Sequence, residues 1–296
     1  SLRFSYNGNT DQPTLEQIQP IRDNQNQLNT IVGNPNLDPS FRNNFRGNYY
    51  SYKVLSNQFF SVNGSYNFTL NPIISNVITN DRGESISKFV NLKNKAATSY
   101  YLGSNFGKTI KAIDMNAGIG LSASKNLNYN YINTQLNQTK NSTYSFNLNL
   151  SKYKEKKYNF NTSFGPTYNV ANTSINDNSD SNGWGFNGDF WTSIELPFKL
   201  EISTDGNYQY NGKTQVIQQT FERFIWNASI TKKFLKSDNL KVSITGRDLL
   251  NQNAGFNRSA YNGNINQSTY TTIQRYFMFS VSWDFSKMGG GEIKQN

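Results

Sequence analysis

The sequence predicts an all-β fold, an antiparallel transmembrane β-barrel of which about twelve strands are present. Apolar and polar residues alternate with a period of two along most of the chain, which is the period of a strand and not of a helix. Only 35% of the 296 residues are hydrophobic, and no segment approaches the ~18 to 20 consecutive apolar residues of a spanning helix. Short and long connections alternate, as they do on the two sides of an outer-membrane barrel.

Two other classes of protein fit the composition less well. The mean hydropathy of −0.70 is low enough for a disordered chain. Disordered chains are poor in aromatic residues, however, and this one has 21 Phe, 18 Tyr and 4 Trp. A soluble β meander would alternate too, but it has no physical reason to separate its short connections from its long ones.

The first predicted hairpin shows the pattern on which the others are built. Residues 41–53 and 58–70 both alternate and are joined by a short turn at 54–57, which is typical of a β-hairpin. The same unit recurs along the chain, and the predicted strands are 2–9, 41–53, 58–70, 98–106, 113–122, 144–150, 158–164, 184–194, 200–210, 224–230, 240–244 and 273–285.

The connections between these strands fall into two groups. The short turns are predicted at 54–57, 107–108, 154–157, Pro197 and 236–239. The longer polar connections are predicted at 10–40, 75–90, 132–142, 176–183, 211–221 and 250–270. The connection at 10–40 is too rich in proline and asparagine for a strand or a long helix.

The last strand, 273–285, carries the clearest alternation. One face is apolar and aromatic and is predicted to contact lipid, and the other is predicted to face the lumen. The lipid-facing residues are Phe277, Phe279, Val281 and Trp283, and the lumen-facing residues are Tyr276, Met278, Ser280 and Ser282. Phe285 ends the strand as an aromatic residue, and we expect it to serve as an assembly signal or as an interfacial anchor.

The charge is concentrated at one kind of connection. The chain has 29 Lys and Arg against 19 Asp and Glu, a formal net charge of +10. Most lysines lie at or beside the short turns, which predicts a basic ring at the periplasmic rim, although lysines also make turns soluble. Nucleic-acid binding is disfavoured because the aromatic residues lie on strand faces and are not gathered with the lysines.

The sequence indicates no enzyme and no cofactor. It contains no Cys and no His, which closes off thiol chemistry, imidazole catalysis and the usual zinc sites. The carboxylates on polar faces are interpreted as hydrated wall residues rather than an acid/base pair; they are Asp114, Asp189, Glu195, Glu201 and Asp205. Asp177, Asn178 and Asp180 are interpreted as a loop, with a weak Ca²⁺ site as the alternative.

The chain begins directly in an alternating segment, without a signal peptide. We therefore expect it to be the C-terminal portion of a longer barrel, with residues 1–285 in the transmembrane barrel and residues 286–296 in a polar, glycine-rich tail.

Three stretches resemble the C-terminal barrel of a TonB-dependent outer-membrane transporter of the Bacteroidota type. Residues 33–39 read G-N-P-N-L-D-P and look like the family's G-N-P-x-L-x-P-E loop, with Ser40 in place of the usual acid. Residues 246–251 read G-R-D-L-L-N and are similar to the N-L-F/L-N segment of the family, with Asp248 where Asn is common. Residues 275–285 match the aromatic last strand.

The resemblance implies a barrel of about 22 strands, plugged by an N-terminal domain, in the bacterial outer membrane. It implies active uptake of a scarce solute. The implied partners are outer-membrane lipid and lipopolysaccharide, the missing N-terminal plug and barrel strands, an energy-transducing inner-membrane complex and a surface lipoprotein. Two alternatives stay open, a structural or accessory barrel subunit of an outer-membrane complex and a freestanding 12-stranded barrel acting as a pore or an outer-membrane enzyme.

Overall fold

The structure, a computed structural model, describes residues 1–20, 28–175, 181–261 and 264–284. Within these ranges one sheet of 15 strands forms most of the molecule, and 12 of its strands lie side by side as an antiparallel meander. The strands of this row are β1 (Leu2–Asp11), β3 (Ser40–Lys53), β4 (Gln58–Leu70), β7 (Ala97–Ile110), β8 (Met115–Ile132), β9 (Gln135–Lys154), β10 (Tyr158–Thr173), β11 (Ser181–Leu196), β12 (Leu200–Asn211), β13 (Phe221–Phe234), β14 (Leu240–Arg247) and β17 (Tyr276–Trp283). The predicted all-β antiparallel fold is confirmed.

Smaller elements lie in the connections of the row. They are the helix α1 (Leu15–Ile18) and the strands β2 (Asn29–Val32), β5 (Ile73–Thr79), β6 (Ser85–Asn91), β15 (Ala254–Tyr261) and β16 (Asn264–Thr271), with 3-10 turns at Val54–Ser56 and Pro197–Lys199. β5 and β6 form a hairpin, β2 pairs with β6, and β5 reaches β8; β15 and β16 form a separate hairpin. The predicted absence of a strand from 10–40 is therefore wrong, and the connections 75–90 and 250–270 are hairpins rather than loops.

The turn predicted at 107–108 is also misplaced. The chain turns at 111–114, where Asp114 has a positive φ of 48°, and Gly107 lies inside β7. Gly107 pairs with Phe59 on one side, and a Cβ at this position would lie 2.0 Å from the Phe59 ring. The glycine is thus a strand residue covered by an aromatic ring, and not a turn residue.

The long connection predicted at 132–142 does not exist. β8 and β9 are the longest strands, 18 and 20 residues, and they are joined by Asn133 and Thr134, both with positive φ. The polar residues that resembled a loop belong to paired strands, as in the pair of Asn130 and Asn137. The polarity of this segment predicted a loop. Instead, the two-residue turn at Asn133 and Thr134 lets β8 and β9 stay paired up to Ile132 and Gln135.

The last strand is shorter than predicted, beginning at Tyr276 rather than at 273. Its partner β14 ends at Arg247, which pairs with Tyr276, so no ladder is available earlier in the chain. Within the described ranges β1 pairs only with β3 and β17 only with β14, so the two ends of the row are not joined to each other.

Candidate functional site: the polar face of the barrel wall

The register of the row places apolar and polar residues on opposite faces of every strand. One transverse row of the apolar face consists of Tyr6, Phe45, Tyr66 and Tyr100. The adjacent row of the other face consists of Asn7, Asn44, Asn67, Ser99, Asn126 and Asn141. We call the face with the second kind of residue the polar face.

The apolar face is covered by no other part of the described chain. Ile74 and Leu92 are the only hydrophobic residues buried in the described ranges, and both lie at the long-connection end. Large apolar side chains along the row are exposed, which is what a wall in contact with lipid requires.

The last strand follows the same division. Phe277, Phe279, Val281 and Trp283 share the apolar face and are 59 to 70% exposed. They lie opposite Gly246, Ile244, Val242 and Leu240 of β14. Tyr276, Met278, Ser280 and Ser282 share the polar face and lie opposite Arg247, Thr245, Ser243 and Lys241. The contacts with lipid and with the lumen stay predictions, and Phe285 lies outside the described residues.

Two blocks of strands on the polar face differ in chemistry, and the face continues over β1 and β3, where it carries Arg3, Asp11, Arg42 and Arg46. On β4 and β7–β10 it consists of Asn, Ser, Thr, Gly, Gln and Ala with a few aromatic residues and Ile132, and it carries no charged residue. On β11–β14 it carries charges of both signs, namely Asp189, Glu195, Glu201, Asp205, Arg223, Lys233, Lys241 and Arg247. We call these the neutral half and the charged half.

Most charges of the charged half have partners within the wall. Lys233 Nζ lies 2.8 Å from a Glu201 carboxylate oxygen and 3.3 Å from one of Glu195. Asn227 donates to Asp205 at 2.6 Å. Arg223 donates to the Gln209 side chain and to the Ala254 carbonyl, at 2.9 and 2.7 Å. These contacts make the charged half a cross-linked part of the wall.

The neutral half contains a cavity of about 650 Å³ near the short turns, which we call the wall recess. Gly118 lines the recess and has no side chain to fill it, whereas its pairing partner Gly107 is covered by the Phe59 ring. Tyr52 and Phe59 lie at one side of the recess, and the remaining polar-face lining is Ser61, Asn105, Thr109, Asn116, Asn149, Ser151 and Asn161. Lys108 is the one charged residue of its lining, and alternation assigns Lys108 to the apolar face.

The predicted carboxylates are distributed over the wall rather than gathered. Asp114 lies in the turn at 111–114 and not on the polar face, so that assignment is wrong. Asp189 lies opposite Ser163 and Asn207. Asp177, Asn178 and Asp180 lie outside the described residues. In the described ranges no group of three acidic side chains could hold a metal ion.

The lysines of the short turns make contacts within the protein. Lys152 donates to the Ile113 carbonyl at 2.7 Å, which joins two neighbouring turns. Lys199 donates to the Leu235 carbonyl and to Asp238, each at 2.6 Å, and this interaction lowers the pKa of the Asp238 carboxyl. Lys152 and Lys199 therefore stabilise turns, and the basic ring at the periplasmic rim stays a prediction.

The G-N-P-N-L-D-P segment fastens two long connections together. Asn34 donates to the Phe89 carbonyl at 3.0 Å, and Asp38 N donates to Asn91 Oδ1 at 2.8 Å. Gly33 is required because a Cβ there would lie 2.3 Å from the Gln19 carbonyl oxygen. The motif thereby fixes the β5–β6 hairpin beside β3.

The G-R-D-L-L-N segment forms the corner between β14 and the last connection. Asp248, which is 3% exposed, accepts hydrogen bonds from the backbone N–H groups of Gln252 and Asn253 at 2.9 and 3.0 Å. Asn251 accepts from Arg275 N at 3.1 Å, just before β17 begins. Asp248 and Asn251 both have positive φ, which short polar side chains tolerate.

A buried polar cluster at the long-connection end was not predicted. Asn137 is fully buried and donates to Asn130 and Thr139, at 3.0 and 3.3 Å, and Thr173 donates to it. Its members come from β8, β9 and β10. The signal in the sequence is the run of Asn and Thr at 126–141, whose polarity resembles that of a loop.

The comparisons with known proteins agree with this architecture. No helix in the described ranges combines the length and the apolar character that a membrane span requires. No curated protein and no solved structure matches the chain. The family model described as "Outer membrane protein beta-barrel family" matches residues 1–283. The chain therefore belongs to the outer membrane protein β-barrel family, a family of the bacterial outer membrane.

Proposed function

We propose that the chain forms part of the wall of a TonB-dependent transporter, which takes up a scarce solute actively across the outer membrane. The observation that carries the proposal is the polar face, which continues over all twelve strands of the row. In a membrane barrel this face lines a passage for a polar solute. We also propose that this chain is not itself an enzyme and binds no cofactor.

The long-connection side supports a receptor. β2, β5 and β6 form an ordered layer there, and the G-N-P-N-L-D-P segment ties this layer to β3. An ordered outer surface can bind a solute before it enters the passage.

The edges of β1 and β17 that are unpaired within the described residues indicate which further partners we propose. An open strand edge within hydrocarbon would leave several backbone groups unsatisfied, at several kcal/mol each. We expect β1 and β17 to pair with strands outside this sequence, as in a larger barrel with a plug. The energy-transducing inner-membrane complex and a surface lipoprotein are partners of that assembly, and lipid and lipopolysaccharide surround it.

A structural or accessory barrel is the second candidate. The cross-linked charged half favours it, because paired charges strengthen a wall without contributing to a solute site.

Uptake experiments separate the candidates. Cells lacking the gene are compared with wild-type cells for growth under limitation by iron, by cobalamin and by a panel of glycans. If the protein is a transporter, the deletion strain should fail to grow on at least one of these solutes. Wild-type cells should stop taking up that solute when the proton gradient is collapsed. Uptake that persists without the gradient would indicate a pore, and a deletion strain that grows normally but loses an outer-membrane complex would indicate an accessory barrel.

A further inference from the structure

The wall recess lies on the part of the polar face that has no charge. We propose that the recess binds a neutral, hydroxyl-rich solute of the oligosaccharide class. The inference rests on the proposed function, because it names the class of solute for the same wall.

The absence of charge from the neutral half selects against an ionic solute. Five adjacent strands, β4 and β7–β10, present no charged residue on this face. A charged solute that entered the recess would lose part of its hydration without gaining an ion pair on the polar face, because Lys108, the one charged residue of the lining, is assigned to the apolar face. A neutral solute with many hydroxyl groups meets no such penalty.

The amides around the recess have hydrogen-bonding capacity available. Asn105, Asn149 and Asn161 are exposed, and none of them has a side-chain hydrogen bond to another described residue. Asn116 accepts from Thr109 at 2.7 Å, which leaves its NH₂ group available to donate. Each amide offers both donors and an acceptor, and a hydroxyl group likewise donates and accepts.

Aromatic rings flank the amides on both sides. Tyr52 and Phe59, which pair across β3 and β4, lie at one side of the recess. At the other side Trp191 lies directly opposite Asn161. Aromatic rings with a few polar groups between them suit a ring-shaped solute that has apolar C–H faces and polar edges.

A peptide is the competing neutral solute. Peptides in extended form commonly bind by adding a strand to a free sheet edge. The recess lies in the middle of the row, where β7 and β8 have both neighbours paired, so this mode of binding has no edge to use.

Trp191 provides the readout, because the other three tryptophans, Trp184, Trp226 and Trp283, occupy the apolar face. The protein purified with the rest of its barrel in detergent micelles is titrated with maltohexaose while tryptophan emission and heat of binding are followed. We expect saturable binding, with an affinity about tenfold or more above that for oligogalacturonate and chitosan oligomers of equal length and for a capped neutral hexapeptide. Trp191→Phe should remove the emission change, while the heat of binding remains measurable.

Gly118→Leu fills the recess, because Gly118 is part of its lining. The Cβ of the new side chain would lie 3.3 Å from the Phe106 carbonyl oxygen, which is a close contact. It should weaken maltohexaose binding about tenfold or more, whereas Ser124→Leu, on the same face of the same strand, should change it less than about twofold. Heat-modifiable migration on gels verifies folding, and the double variant Asn149→Ala with Asn161→Ala tests the site without adding bulk.

Equal or tighter binding of a charged oligomer or of the peptide overturns the proposal, as does no binding of maltohexaose or equal binding by Gly118→Leu. Binding without gradient-dependent uptake in cells would leave the site standing and overturn the proposed transport. Gradient-dependent uptake of a charged solute alone would leave the proposed transport standing and overturn the proposed oligosaccharide site.

Discussion

The neutral half and the charged half share one register, yet their side chains are used differently. In the charged half the ionic groups bond to one another or to nearby amides, as Lys233 does with Glu195 and Glu201. In the neutral half, Asn105, Asn149 and Asn161 beside the recess make no side-chain hydrogen bond to another described residue, and Asn116 accepts one from Thr109. The difference indicates that the charged half is cross-linked within the wall, and it supports the proposal that the neutral half presents polar groups to a solute.

The division depends first on which face of the row meets lipid. Phe279→Arg places a charge on the apolar face and should cost about 2 to 4 kcal/mol if the residue lies near the midplane. Ser280→Arg, the neighbour on the polar face, should cost much less. Urea unfolding of both variants in lipid vesicles measures the difference, and equal costs would refute the assignment of faces for β17.

Each half has a buried polar centre, and removing either one tests how the wall is built. Asp248→Ala would leave the N–H groups of Gln252 and Asn253 without their acceptor, at a cost of about 1 to 3 kcal/mol. Asp248→Asn keeps an acceptor oxygen and should cost less. The free energies of unfolding of both variants are measured in the same vesicles. An Ala variant as stable as the wild type would mean that Asp248 does not stabilise the corner.

The neutral counterpart is Asn137. Asn137→Leu is close in size but cannot bond to Asn130, Thr139 and Thr173, so we expect a loss of about 1 to 3 kcal/mol. Hydrogen exchange should increase at the β8–β9 end near 130–139 and not near Asp248. An increase spread evenly over the whole sheet would contradict a local role for this cluster.

Lys233→Met tests the cross-linking of the charged half. It leaves Glu195 and Glu201 without their shared cation, and because these groups are partly exposed we expect a loss of roughly 1 to 2 kcal/mol. The triple variant with Glu195→Gln and Glu201→Gln should recover part of that loss. A single variant without effect would mean that the charged half is not held by these pairs.

The alternation predicted the twelve strands of the row and the division of their residues between two faces, because a period of two is a local property, but it missed β2, β5, β6, β15 and β16 in the connections. The positions of turns were harder to predict, since Gly107 is identical in sequence terms to a turn glycine and only the ring of Phe59 across the strand shows otherwise. The recess could not be predicted at all. It depends on the register that sets Phe59 opposite Gly107 and Gly118 opposite Asn149, and register between strands is not a property of either strand.

The smallest expected effect is a change of hydrogen exchange with pH at one short turn, Pro197–Lys199. Lys199 donates to Asp238, and this lowers the pKa of that carboxyl. A carboxyl whose pKa is lower in the folded protein stabilises it above the ordinary Asp pKa and loses that contribution as the pH falls through the folded value. At pH 3 the turn Pro197–Lys199 should therefore exchange its amide protons faster than at pH 7, by a small factor because Asp238 is exposed. The turn Val54–Ser56 of the neutral half has no acidic residue beside it and serves as the control, after correction for the intrinsic pH dependence of exchange. Asp238→Asn should remove the difference between the two turns, and a difference that persists in this variant would assign the pH response to another group.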